Sequence, residues 1–310
     1  MGRSRKTNQL IREFLSELKE VLTKDGSITL RSLIFQENFH SLEGALKETE
    51  IKFIYPSDLK RFKDKSLNVL DICFGLGYNS ASLFNNVIRQ NSLINWYALE
   101  IDKKPLEYSL GNKSFQKLWH PKVFKILKAL LKNSKYKDQF FDCDILWGDA
   151  REKIKNIPAN IKFDLIYLDG FSPQKCPQVW SVEFLSKVTQ KLNPQGYLIT
   201  YSCSAAIRST LKDFGLNIFN NKPNLVSKNL WSYGTIAVKN IDEKVLQNNL
   251  YLKKLSWMEE EHLLTKASIP YRDPTLNSNP KDIIKKRVQE QFLSNLKTSK
   301  KWRDKWGMTK

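Results

Sequence analysis

The chain reads as an α/β protein, a mostly parallel sheet with helices on both faces, and three observations predict it. Short apolar runs recur through residues 67–240, stretches of helix length separate them, and several end in acidic or glycine-rich turns. That rhythm makes βαβ units, whose ligand side is the carboxyl end of the strands.

Three zones follow one another. In residues 1–66, Leu10, Ile11, Phe14, Leu15, Leu18, Val21 and Leu22 recur at helical spacing and predict an amphipathic helix. Asp25-Gly26-Ser27 then marks a turn, and Ile28-Thr29-Leu30 a short strand packing on the main fold. In residues 67–240, strands are predicted at 67–72, 96–100, 143–147, 163–169 and 196–201. Shorter β-rich runs at 216–219 and 234–238 close a seven-stranded sheet. Residues 241–310 form a basic extension expected to be partly flexible; positions 281–310 hold ten Lys/Arg against three Asp/Glu.

Composition limits what such a fold is for. Of 310 residues, 41% are apolar and 27% charged, enough for a packed core. Fifty-one Lys and Arg against 32 Asp and Glu leave a net charge of +19, which calls for a polyanionic partner, nucleic acid before an acidic membrane. No run of eighteen apolar residues is present and no apolar stretch follows the basic Met1–Lys6 segment, so neither a membrane span nor export is expected. Cys73, Cys143, Cys176 and Cys203 form no C-x-x-C pair, and only three histidines occur. A metal site or disulfide framework is therefore not expected, and a reducing cytoplasm fits.

The most informative segment runs from Val69 to Asn79. A buried strand carrying Asp71 enters a loop with Phe74, Gly75 and Gly77, and Asn79 opens the next helix. Glycine serves where the backbone turns tightly or approaches a ligand. A dinucleotide fingerprint needs a third glycine three residues after Gly77, where Ser80 stands; an acidic residue followed by Gly-x-Gly suits S-adenosylmethionine instead. Glu100 ends the second strand, where a carboxylate can accept both ribose hydroxyls, or else cap the next helix. Asp149 ends the third, placed for the adenine amino group or for an N-cap. Asp169-Gly170-Phe171-Ser172-Pro173 ends the fourth. Four acidic or glycine-rich sites at successive strand ends point to one methyl-donor pocket.

The block Leu168-Asp169-Gly170-Phe171-Ser172-Pro173 with Pro177 and Trp180 resembles the methyltransferase domain of the MnmC family of tRNA wobble-uridine modification enzymes. Asp25-Gly26-Ser27, Phe39-His40-Ser41, Gly44-Ala45 with Glu48, and Phe74-Gly75-x-Gly77-x-Asn79 extend the resemblance over about residues 23–238. Cys176 replaces the family's Asn, and residues 229–234 depart from its basic segment. The segment from Glu261 to Pro274 is similar to extensions of cyanobacterial relatives.

The resemblance implies a Rossmann-like S-adenosylmethionine-dependent fold of the stand-alone kind, lacking the FAD oxidase found in bifunctional members. It implies methyl transfer to the primary amine of 5-aminomethyl-(2-thio)uridine in tRNA. Asp169 would orient that amine and accept its proton, and His40 would line the donor pocket. Phe171, Trp180 and Tyr78 are candidates to stack on a splayed base, or else pack under a loop. Ten lysines against two acidic residues in 103–139 offer a phosphate-tracking face or a solvated surface. Trp302 and Trp306, among the tail's cations, offer stacking with charge; His120 and His262 read as surface residues. Other readings are a methyltransferase for another amine acceptor and a non-catalytic RNA-binding protein on a degenerate fold.

Overall fold

In the computed structural model, which describes residues 18–90, 92–221, 233–241, 246 and 249–308, the apolar runs pair into one twisted sheet. Its strands are β4 (Ser66–Ile72), β5 (Leu93–Glu100), β6 (Lys135–Lys137), β7 (Phe141–Trp147), β8 (Phe163–Leu168), β9 (Leu192–Thr200), β10 (Asn217–Asn221), β11 (Thr235–Val238) and β12 (Leu252–Lys254). Their order is β12-β10-β11-β9-β8-β4-β5-β7-β6. The central five, β9-β8-β4-β5-β7, run parallel, while β11, β10, β12 and β6 join antiparallel. The seven expected strands are its centre. The two short additions, β6 and β12, carry no long apolar run and are held by backbone pairing, which is why periodicity missed them.

Burial on both faces explains why β4 reads as nearly continuous apolar sequence. Its alternation still divides the core: Leu67 and Val69 join one buried cluster, Leu70 and Ile72 the other. Helix α2 (Tyr78–Gln90) packs on the first face with α3 (Lys104–Gly111) and α4 (Pro121–Asn133); α6 (Val182–Gln190) and α7 (Ala205–Asp213) pack on the second. Short helices include α1 (Ala45–Thr49) before the sheet and α5 (Ala150–Lys153) after β7.

The N-terminal zone departs from the helix expected over 10–22. Leu18–Leu22 is strand β1, paired antiparallel with β2 (Ile28–Ser32) across the Asp25-Gly26-Ser27 turn, and β3 (Glu37–Asn38) adds a third strand. Asp25 stabilises the turn by accepting from the Ser27 amide and hydroxyl and from Thr23. Hairpin pairing overrides helical spacing here. Leu10, Ile11, Phe14 and Leu15 lie outside the described residues, as do positions 229–232 of the departing segment.

The basic extension is largely helical and docked, through α8 (Trp257–Leu263), α9 (Pro280–Leu293) and α10 (Ser299–Lys305). Glu259 of α8 pairs with Arg208 of α7 at 2.9 Å with both side chains at most 1% exposed, a contact whose loss from one side costs about 3–5 kcal/mol. Trp302 is buried, stacks on His262 at 4.2 Å and donates from its indole N–H to the Met258 carbonyl. Trp306 donates to Glu261. These contacts hold Trp302 inside, away from the expected stacking role, and leave Trp306 half-buried with its indole N–H on Glu261; they also make His262 a packed residue whose pKa burial lowers to about 4. His120, exposed, caps α4 by accepting from the Lys122 amide. Among the described residues no helix is long and apolar enough to cross a membrane, and no group of three or more His, Cys, Asp or Glu is placed to hold a metal.

Candidate active site

The carboxyl ends of β4, β5, β7 and β8, roofed by the N-terminal hairpin, enclose a cavity of about 440 Å³. Its lining includes Gly75, Glu100 and Asp149, which stand at or just after the ends of β4, β5 and β7 and are grouped as the first half, and Asp169, Phe171 and His40, grouped as the second.

In the first half Glu100 is buried at the end of β5. Its Oε2 accepts from the Gly75 amide at 2.7 Å, and its Oε1 from the amides of Ile101 (2.6 Å) and Asp102 (3.0 Å). Burial raises its pKa, and the three amides oppose that rise. Gly75 has φ +58, and a Cβ there would stand 3.2 Å from the Phe39 ring; Gly77 has φ +86, and its Cβ would meet the Phe74 ring at 2.8 Å. Both positions therefore demand glycine for backbone and packing reasons. Gly77 is not among the residues that line the cavity; it shapes the loop that carries Gly75.

Two further residues of the expected donor set also lie behind that loop. Phe74 is buried edge-on to Trp96. Asp71 is 1% exposed, accepts from Ser80 at 2.6 Å and is pushed up to about 7, by burial first. It braces the first turn of α2 through Ser80. Asp149, by contrast, lines the cavity. It caps α5 through the Arg151 amide at 2.9 Å and pairs with the Arg151 guanidinium at 2.6 Å.

In the second half Asp169 is the central group. Its Oδ2 accepts from Asn79 Nδ2 at 2.8 Å, and the Thr49 hydroxyl donates to Asn79 Oδ1 at 3.0 Å, which fixes the amide's orientation. Asn79 thus serves Asp169 and does not itself line the cavity. Burial, then the charge of Glu48, pushes Asp169 up to about 8, with Asn79 pulling the other way. His40 hydrogen-bonds Thr29 through Nδ1 at 3.0 Å, and burial lowers its pKa to about 4, so its ring is neutral at pH 7. Burial works against the charge of Glu48, yet Lys52 at 2.5 Å and the Ser41 amide hold it below the usual carboxylate range.

Phe171 stacks on Phe35 with ring centroids 4.4 Å apart and meets Phe39 edge-on at 4.9 Å. Trp180 and Tyr78 do not share that aromatic wall. Trp180 is fully buried and donates from its indole N–H to the Phe171 carbonyl at 2.8 Å. Tyr78, 1% exposed, exchanges hydrogen bonds with the Ile28 backbone. Each is buried and held by a backbone partner, so in this structure neither presents a face to the cavity.

Among the lining residues that the sequence does not single out are Glu37, Tyr201, Phe35 and Gln178. Glu37 accepts from the Ser172 amide at 2.9 Å and its hydroxyl at 2.5 Å, and Tyr201 donates to the Gly170 carbonyl at 2.9 Å. Phe35 backs the aromatic wall, and Gln178 Oε1 is buried at the cavity with no partner among the described residues. Tyr201 directly follows β9, so the strand-end rule that found Glu100 could have found it. Nothing local marks Glu37, which lies 135 residues from its partner.

The sequence matches, over residues 113–229, a family described as S-adenosyl-L-methionine-dependent methyltransferase. It is 28% identical over 291 residues to an uncharacterized protein of Methanocaldococcus jannaschii, covering 91% of this chain and 75% of that one. It is 25% identical over 211 residues to the tRNA 5-methylaminomethyl-2-thiouridine biosynthesis bifunctional protein MnmC of Campylobacter hominis, covering 64% of this chain and 31% of that protein. The chain thus spans about a third of the length of the bifunctional relatives it matches. The crystal structure of MNMC2 from Aquifex aeolicus superposes with a TM-score of 0.76 at 26% identity, covering 94% of this chain and 92% of that one.

Proposed function

We propose that this chain, an MnmC-like S-adenosyl-L-methionine-dependent methyltransferase, methylates the primary amine of 5-aminomethyl-(2-thio)uridine at the wobble position of tRNA. The observation that carries the reading is the cavity itself, which has a half-buried carboxylate, Asp169, in the same enclosure as the strand-end carboxylates Glu100 and Asp149.

The residues present suit the donor. Glu100 has acceptor capacity beyond its three amide contacts for ribose hydroxyls, and Asp149 can accept from the adenine amino group. Gln178 Oε1, a buried acceptor without a partner among the described residues, offers a further contact for a ligand N–H. When bound, the donor supplies a methyl group already activated on a sulfonium, so the chain's own task is positioning and exclusion of water.

Asp169 takes the central part. An alkyl ammonium entering the second half meets Asp169, with Glu48 and Glu37 also on the wall. The cation favours the ionised carboxylate, and a carboxylate whose empty-site pKa lies near 8 is well matched to take a proton from an amine. The freed nitrogen then carries a lone pair for attack, while Asn79 keeps Oδ2 in place. Phe171, backed by Phe35, offers a flat face for the unstacked uracil ring. The net charge of +19, with Lys113, Lys117, Lys125 and Lys132 exposed around α4, supports a tRNA substrate held through its phosphates.

The test is incubation with S-adenosylmethionine and tRNA bearing 5-aminomethyluridine, followed by digestion and nucleoside mass spectrometry. One added methyl on the wobble nucleoside is expected. An unchanged nucleoside in competent tRNA, with the enzyme folded and donor-bound, would overturn the substrate assignment.

A further inference from the structure

The cavity's donor end is tied to a segment far away in sequence. The Arg151 guanidinium lies along Asp149, donating from Nε to both carboxylate oxygens at 3.1 Å and from Nη2 to Oδ2 at 2.6 Å. Its remaining nitrogen, Nη1, reaches into the C-terminal extension, to Asp273 Oδ2 at 2.7 Å and the Ser278 carbonyl at 2.9 Å.

Asp273 is 0% exposed. Its Oδ1 accepts from the amides of Asn277 (3.2 Å) and Ser278 (3.0 Å), and its own amide donates to Glu183 at 2.6 Å. Burial opposes its charge, but the Ser278 amide and Arg151 outweigh this and keep its pKa below the ordinary value. The segment is pinned further where the Val182 amide donates to the Tyr271 carbonyl at 2.9 Å. A guanidinium is planar and holds its donors in a fixed fork, so fixing Nη1 fixes the plane that Asp149 pairs with. Asp149, which lines the cavity, is thereby held in one orientation, its side chain still 31% exposed.

We propose that Asp273 is a positioning residue for methyl-donor recognition, acting through Arg151 on Asp149, so that the C-terminal extension completes the donor site. The inference rests on the donor reading above, with Asp149 as the acceptor for the adenine amino group. It identifies that amino group as the part of the donor that the extension controls.

The experiment titrates the full chain with S-adenosylhomocysteine and with S-inosylhomocysteine, in which an oxo group replaces the 6-amino group. The wild type is expected to favour the adenosyl compound by about tenfold or more, since the oxo analogue sets an acceptor against the Asp149 carboxylate where the amino group donated, its one donor on that edge, N1–H, lying a position further round the ring. Asp273→Asn, which keeps the shape and removes the charge, should cut that preference to within about twofold of unity while leaving inosyl affinity unchanged. Arg151→Lys, which keeps the charge and loses the fork, should do the same. A purely structural role would weaken both ligands alike and leave the ratio intact. Full preference in both folded variants would overturn the inference and leave the donor reading standing. A wild type that binds neither compound, or binds them equally, would overturn the role of Asp149 and the inference with it.

Discussion

The two halves of the cavity are built in different ways. The donor half is made at the ends of consecutive parallel strands, and Glu100 is fixed by amides no more than 25 residues away. The acceptor half is assembled from distant pieces: the β2–β3 hairpin supplies Phe35 and Glu37, which meet Phe171 and Ser172 across 135 residues of chain. One half follows from the topology of any open parallel sheet. The other depends on how a small sheet is laid over that topology, and substrate choice is where such an added layer acts.

That contrast predicts that substitutions in one half leave the other's ligand untouched. The largest effect belongs to Asp169→Asn, expected to lower kcat/KM by about 10²–10⁴-fold, the usual range for a lost acid–base group. Donor affinity by calorimetry should stay within about twofold. Next, Glu100→Gln removes a charged acceptor worth about 1.5–3 kcal/mol, so donor Kd should rise by about tenfold to a hundredfold with acceptor KM unchanged. Glu37→Ala, which releases the loop after Asp169, should reduce kcat by about tenfold, and Glu37→Gln should restore part of that. A donor Kd that moved as far as kcat would break the division between the halves.

Titration sharpens the same comparison. Asp169 accepts a proton only when ionised, so kcat/KM should rise with pH and level off near pH 8, and Asp169→Asn should erase that limb. Stability moves in the opposite sense. Between the ordinary aspartate range and about pH 8 the folded protein keeps a proton that the unfolded chain has released, so stability falls as pH rises through this window. Thermal melts from pH 5 to 9 should therefore show Asp169→Asn gaining on the wild type up to about pH 8 and no further. The smallest effect is that of Trp180→Phe, which deletes one buried hydrogen bond to Phe171. About 1–3 kcal/mol of stability should be lost, read by denaturant unfolding, with donor affinity unchanged.

How much of this was legible in the sequence follows the same division. The strand-end positions of Glu100, Asp149 and Asp169 could be read because apolar runs and turns are local signals. Asp71, Phe74 and Gly77 belong to the same motif but brace the loop from behind, through Ser80, Trp96 and the packing of Phe74 under Gly77, which are tertiary contacts that the motif does not show. Trp180 and Tyr78 stood in the right segments, yet burial and a backbone partner, both products of tertiary packing, took them out of the cavity. Glu37 and Asp273 leave no local signal of their part in the site because the partners that tie them to it, Ser172 and Arg151, are more than a hundred residues distant. The hairpin strand at Leu18–Leu22 was misread as helix because pairing with Ile28–Ser32 outweighs side-chain spacing.

The most direct test is a crystal structure of the chain with S-adenosylhomocysteine. The account predicts ribose hydroxyls on Glu100, the adenine amino group on Asp149, and the sulfur turned toward Asp169 with room between them for one primary amine. A ligand seated elsewhere, or one whose sulfur faces away from Asp169, would contradict it.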